Sequence, residues 1–226
     1  MTTVIFDLDG TLLNTLDDLH NSVAYALRQA GLPVIDKTDT RRFLGNGVRS
    51  LIEKSVSLAA PEADKNKTDE VFGIFRQYYV EHSMEKTAPY KGVDQMLQAC
   101  HERGFATAIV SNKLDEAVQD LYSKFFHNWV DLAIGESPSR RRKPAPDMVD
   151  AAIEGLSAMH KEELGGRDIR KTECVYVGDS EVDLLTAKNA GLRCVAVSWG
   201  FRDREWLVEC GADCIIDRPA QLIEVI

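Results

Sequence analysis

The sequence predicts an α/β fold: a Rossmann-like parallel sheet core carrying an inserted α-helical cap domain. Three observations lead there. Apolar, β-branched runs recur at 4–8, 105–110, 130–134, 174–177, 194–197 and 214–216. Most are continuous rather than alternating, as in strands covered on both faces. Helical periodicity separates most of them, and one long interval, about 16–88, carries helical pattern alone.

The first run delivers Asp7-Leu8-Asp9-Gly10-Thr11. On a strand, a spacing of two puts both carboxylates on one face. Like charges that close repel, so the pair makes sense where a cation, a proton or a reaction needs it. An acidic turn is the simpler account of the motif taken alone.

Within the long interval, Leu16, Leu19, Val23, Ala26, Leu27 and Ala30 form one stripe that stops at Gly31. Val48, Leu51, Ile52 and Val56, then Val71, Ile74, Phe75 and Tyr78, continue the pattern. The division expected is a core of 1–14 and 89–226 and a helical cap of 15–88, with Glu62 to Glu70 as a solvated loop and helix start.

Back in the core, Val93, Met96, Leu97 and Cys100 mark a helix closed by Gly104, and the second strand ends at Ser111-Asn112-Lys113. The stretch from Arg140 through Lys143-Pro144 to Pro146-Asp147 reads as a basic turn before a helix, its prolines stiffening the loop that aims Lys143. The fourth strand ends at Gly178-Asp179-Ser180, with Asp183 beyond it, and Val182, Leu185 and Ala190 form the helix that Gly191 stops. Ser111, Asn112 and Asp179 could each simply cap a helix. Reactive groups at three strand ends together are better explained by a ligand, because open parallel sheets bind beyond their carboxyl edge.

Composition narrows the ligand. The 226 residues hold 27 Lys and Arg against 36 Asp and Glu, a net charge of −9, which argues against a nucleic-acid backbone as partner. An anionic substrate therefore needs local positive charge at the site. No apolar run suits a membrane span and no leader is evident, so a cytoplasmic protein is expected. The five scattered cysteines read as small hydrophobes in a reducing compartment.

Taken together, the motifs resemble those of the haloacid dehalogenase superfamily: Asp7-Leu-Asp9-Gly-Thr11, Ser111-Asn112, Lys143-Pro-x-Pro-Asp147 and Gly178-Asp179-Ser-x-x-Asp183, in order across the whole sheet domain. The helical insert resembles the cap of the subgroup that includes phosphoglycolate phosphatase, and Phe43-Leu-Gly45-Asn46-Gly47-Val-Arg49 resembles its cap loop. The resemblance implies phosphoryl transfer through an aspartyl phosphate on Asp7, with Asp9 as acid and then base. It implies Mg2+ held by Asp7, Asp179 and the Asp9 carbonyl, phosphate bound by Ser111, the Asn112 amide and Lys143, and Asp183 orienting Lys143 or a metal-bound water. Asn46 and Arg49 would contact the substrate, a small phosphorylated metabolite with 2-phosphoglycolate favoured, in a monomer or homodimer.

Pyrophosphate, a nucleotide or a sugar phosphate are alternative substrates within the same resemblance. Thr11 favours a phosphatase over a β-phosphoglucomutase-like mutase, and His20 falls one residue from where a mutase would need it. Lys54 is a weak match to the Schiff-base lysine of phosphonate-cleaving relatives, which lack a carboxylate at the position of Asp9. Asp9 and Gly10-Thr11 also argue against a dehalogenase. A non-catalytic phospho-ligand sensor would be expected to lose one of Asp7, Asp9, Lys143 or Asp179, and all are present. Asn14 replaces an acidic residue common in relatives, and the arginines before Lys143 are unusual.

Overall fold

A computed structural model describes residues 1–226. In chain order the elements are β1 (Thr3–Phe6), β2 (Leu13–Asn14), α1 (Leu16–Gln29), α2 (Lys37–Phe43), α3 (Gly47–Ala59), α4 (Lys65–His82), β3 (Ala88–Pro89), α5 (Val93–Glu102), β4 (Ala106–Leu114), α6 (Asp115–Phe125), β5 (Leu132–Glu136), α7 (Asp147–Met159), β6 (Cys174–Gly178), α8 (Glu181–Ala190), β7 (Arg193–Val197), α9 (Arg204–Glu209), β8 (Ile215–Ile216) and α10 (Leu222–Val225). Two compact units result, Met1–Leu12 with Pro89–Ile226, and Leu13–Ala88.

The first unit is built on a six-stranded sheet in the order β5-β4-β1-β6-β7-β8, and every pair in it is parallel. The chain moves outward from β1 to β4 and β5, then returns to the other side of β1 for β6, β7 and β8. Strand order therefore reverses at β1, where doubly wound sheets bind ligands. Phe6 pairs with Ile109 on one side and Val177 on the other, so the residues that follow these three positions lie side by side beyond the end of β1. Ile5, Ala108, Val110, Met148, Ala152, Tyr176 and Ala187 belong to one fully buried cluster between this sheet and its helices. Continuous apolar strands are what such two-sided cover requires.

The second unit contains α1 to α4. The stripe on α1 buries Leu19, Val23, Ala26 and Leu27, α3 buries Leu51, Ile52 and Val56, and α4 buries Val71, Phe75 and Tyr79. Asp64 caps α4 by accepting from the Lys67 amide at 2.9 Å, so the charged stretch there has a structural role. Asn14 accepts from the Leu16 amide at 3.3 Å where α1 begins. Asp18 is buried and takes bonds from the backbone amides of Lys86 and Thr87 and from the Thr87 hydroxyl, at 2.8–3.0 Å. This buried carboxylate clamps the segment that leads out of the helices.

Three strands differ from expectation by two residues or more at one end or both. β1 ends at Phe6 because the Leu8 carbonyl accepts from the Thr11 and Leu12 amides and turns the chain. Asp7 and Asp9 therefore lie in that turn and do not share a strand face. β4 starts after Phe105, whose amide still bonds the Cys100 carbonyl, and runs on through Ser111, Asn112 and Lys113 to Leu114. β5 starts at Leu132, because the Val130 amide bonds Phe126 in the preceding turn. All five cysteines are free thiols. No helix is long and apolar enough to cross a membrane.

Candidate active site

Three adjacent strand ends and one loop converge at the point where strand order reverses. Asp7 follows β1 and its amide is held by the Val177 carbonyl at 2.8 Å. Ser111, Asn112 and Lys113 lie in β4, where the register with β5 shifts between Val110 and Leu114. Irregularities of this kind re-aim side chains beside functional sites. Asp179 follows β6, and Asp183 lies in the first turn of α8. Lys143 comes from the loop before α7.

Carboxylate oxygens of Asp7, Asp179 and Asp183 lie within 4.8 Å of one another, and all three residues are buried. Lys143 reaches into this cluster, its Nζ 2.5 Å from Asp7 Oδ1, 2.9 Å from Asp183 Oδ1 and 3.1 Å from the Tyr176 hydroxyl. Tyr176 donates in turn to Asp183 Oδ1 at 3.1 Å. The other Asp183 oxygen accepts from the Ser180 amide and hydroxyl at 3.1 and 2.7 Å. Both oxygens of Asp183 thus accept hydrogen bonds within the protein, one from Lys143 and Tyr176 and the other from Ser180.

Thr11 bridges the two remaining acids, its hydroxyl 3.4 Å from Asp7 Oδ2 and 3.3 Å from Asp179 Oδ1. The segment after β7 supports the same region: the Phe201 amide donates to Asp179 Oδ2 at 2.6 Å, and the Trp199 indole donates to the Thr11 carbonyl at 3.0 Å. Gly10, at φ +98°, and Gly200 both press on Asp179, and a Cβ at either would collide with its side chain.

The electrostatics follow from burial. Desolvation pushes the Asp7 carboxyl up to about 7, although Lys143 opposes the shift. Burial, then the Asp183 and Asp7 charges, push Asp179 well above the usual carboxylate range. Desolvation also works against the charge on Lys143, but Asp183 and Asp7 outweigh it and hold the ammonium well above its ordinary value. Burial first, with the nearby acids adding, raises the Tyr176 phenol well above its usual value. Three packed carboxyls with one lysine are short of positive charge. A hard divalent cation with a taste for carboxylate oxygen fits this donor set, because it would let Asp7 and Asp179 ionise together.

Asp9 stands apart. Its side chain lies outside the carboxylate cluster and is held by Lys113, whose Nζ is 3.1 and 3.0 Å from its two oxygens. Asn112 does not point its side chain at a ligand: Oδ1 accepts from the Lys143 amide at 2.8 Å and Nδ2 donates to the Lys143 carbonyl at 3.1 Å. Of the three arginines before Lys143, Arg141 is paired with Asp147 at 2.8–3.1 Å, which ties the loop to α7. In the helical unit, Asn46 precedes α3, and Arg49 is paired with Glu53 at 2.8 Å and Asp69 at 2.6 Å over the Phe72 ring. His20 shares a 2.9 Å hydrogen bond with the Thr40 hydroxyl.

Sequence reasoning gave no role to Tyr176, Lys113 or the Trp199–Phe201 segment. A tyrosine inside an aliphatic strand was a usable signal, since a buried hydroxyl requires a partner. So was a lysine two residues beyond Ser111 on the same strand, where period two returns to the same face. Nothing local marks the Phe201 amide.

An acid cluster with its own lysine, at the switch point of a parallel sheet, is equipment for handling an anionic group. The chain belongs to the haloacid dehalogenase-like hydrolase family, whose model matches residues 4–197. Within that family it is an enzyme of the phosphoric monoester hydrolase kind, similar to phosphoglycolate phosphatases. The phosphoglycolate phosphatase of Vibrio vulnificus is 31% identical, with 99% of this chain and 95% of that protein covered. That of Aquifex aeolicus is 28% identical, over 100% of this chain and 96% of that protein. A crystal structure from Lactobacillus delbrueckii, provisionally named a phosphoglycolate phosphatase, superposes with a TM-score of 0.88 at 33% identity and covers 100% of this chain and 99% of that one.

Proposed function

We propose that the protein is a Mg2+-dependent phosphatase of small phosphomonoesters, with 2-phosphoglycolate as substrate and an aspartyl phosphate on Asp7 as intermediate. The observation that carries the reading is the separate environment of each acid in the first motif: Asp7 lies against Lys143 in the carboxylate cluster, and Asp9 lies against Lys113 outside it. This separation supports different roles for the two acids, Asp7 attacking and Asp9 exchanging protons.

In this reading Asp7 Oδ attacks phosphorus as the bond to the leaving oxygen breaks, and Asp9 gives that oxygen its proton. Asp9 then takes a proton from the water that attacks the phosphoryl group and releases Asp7. Lys143, the Ser111 hydroxyl and the Asn112 amide bind the equatorial oxygens, where transition-state charge sits. Asp7, Asp179 and the Asp9 carbonyl would hold Mg2+, which supplies charge neutralisation between Asp7 and the incoming phosphate. Asn46 and Arg49 are assigned to the non-reacting end of the substrate, Arg49 exchanging Glu53 and Asp69 for its carboxylate. His20 is engaged with Thr40, which favours hydrolysis over a mutase reaction.

The test is phosphate release with and without Mg2+ across 2-phosphoglycolate, pyrophosphate, nucleoside monophosphates and hexose phosphates. Highest kcat/KM on 2-phosphoglycolate supports the reading. A higher value on another member reassigns the substrate, and no Mg2+-dependent release from any of them refutes the phosphatase.

A further inference from the structure

Lys113 is an unusual residue to bury. Its side chain is 3% exposed, and its ammonium meets both oxygens of Asp9 at 3.1 and 3.0 Å. Desolvating an ammonium is costly unless a matched partner compensates. The backbone that carries Lys113 is closely packed: its amide donates to Ser111 Oγ at 3.2 Å, and its carbonyl lies where a Cβ on Gly135 would collide with it. Asp9 is differently placed. It sits in the turn after β1, its side chain is 21% exposed, and Lys113 is the only side chain that bonds its carboxylate. The lysine is thus the buried member of the pair, carried by β4, and the acid is the partly exposed member, carried by a turn.

The buried cluster of Asp7, Asp179 and Asp183 has Lys143 as its cation, paired with Asp7 and Asp183, whereas Lys113 is paired with Asp9. Lys113 supplies the side-chain hydrogen bonds to this partly exposed carboxylate. What Lys113 adds is a fixed direction.

We propose that Lys113 is the positioning residue for Asp9: by gripping both carboxylate oxygens from β4, it holds the acid where it can protonate the leaving oxygen. This rests on the phosphatase reading above. In the step concerned, the Asp7 oxygen forms its bond to phosphorus, the bond from phosphorus to the leaving oxygen breaks, and the proton passes from Asp9 to that oxygen. In the next, water gives its proton to Asp9, its oxygen bonds phosphorus, and the bond to Asp7 breaks.

Protonation matters only for a leaving group that departs poorly. An alkyl phosphate such as 2-phosphoglycolate needs it, whereas p-nitrophenolate leaves readily without a proton. Lys113→Met keeps the stem and removes the grip, and Lys113→Arg restores a two-point donor. The measurement is kcat/KM, which reports the first phosphoryl transfer, for both substrates in wild type and both variants. Lys113→Met is expected to lose about tenfold to a hundredfold on 2-phosphoglycolate and less than about threefold on p-nitrophenyl phosphate, with Lys113→Arg recovering most of the loss. The Mg2+ concentration for half-activity should not move. An equal loss on the two substrates, or none on either, would overturn the proposal and leave Lys113 a structural ion pair. A wild-type protein without Mg2+-dependent turnover of either substrate would overturn the phosphatase reading, and the role of Lys113 with it.

Discussion

Asn112 and the peptide of Lys143 form a reciprocal pair of hydrogen bonds, Oδ1 accepting at 2.8 Å and Nδ2 donating at 3.1 Å. The two residues are far apart in sequence and belong to different elements, a strand and a loop. The pair fixes the loop backbone where Lys143 leaves it, so the ammonium arrives at Asp7 from a set origin.

Asn112→Ala removes both bonds and leaves the Lys143 side chain intact. We expect kcat/KM to fall by about tenfold to a hundredfold, as displacing a charged ligand by about an ångström does. Asn112→Asp keeps the acceptor but sets a buried carboxylate oxygen against the Lys143 carbonyl, and should fall at least as far as Asn112→Ala. Steady-state kinetics on the best substrate of the screen measures both.

Tyr176→Phe keeps the ring and deletes the hydroxyl that joins Lys143 to Asp183. Leaving these buried groups short of a partner should cost about 1–3 kcal/mol. That corresponds to a fall in Tm of roughly 3–10 °C, read by thermal denaturation.

Gly200→Ala would force a methyl group into the Asp179 side chain and the Gly10 carbonyl. Asp179 then moves while Lys143 does not. The Mg2+ concentration for half-activity should rise by about tenfold or more, with a smaller change in KM for substrate. Titrating activity with Mg2+ at fixed substrate separates the two.

Burial raises the Asp7 carboxyl from 3.8 to about 7 in the folded, metal-free protein. Below pH 4 it is protonated in both states. Between pH 4 and 7 only the unfolded chain gives up the proton, so the folded state binds more protons and stability falls as pH rises. Above about 7 both states are ionised and the slope vanishes. The expected outcome in EDTA is that the Tm of wild type, measured against Asp7→Asn, declines from pH 4 to 7 and then levels. Saturating Mg2+ should reduce the decline, because the ion binds the ionised carboxylates of the folded state.

Much of the fold was legible because buried parallel strands leave continuous apolar runs and α1 leaves a stripe ending at Gly31. Asp7, Ser111 and Asp179 were legible because they follow such runs, and Lys143 because it stands in a proline-stiffened basic turn. The partition of the two acids was not: Asp7 and Asp9 read as one face of a strand, yet the turn closed at the Leu8 carbonyl sends them to different lysines. The grip of Asn112 on Lys143 and the support of Asp179 by Phe201 were also hidden. Both are contacts between a side chain and distant backbone, and an amide or carbonyl carries no residue-type signal.

Covalent attack by Asp7 is the central step of the proposed reaction. The most direct measurement is to quench the enzyme in acid during turnover with Mg2+ and map any phosphoryl group by mass spectrometry. The account predicts one phosphoryl group on the peptide containing Asp7, absent in Asp7→Asn, which should also lose turnover. Steady turnover with no phosphoryl group on that peptide, and activity retained in Asp7→Asn, would contradict it.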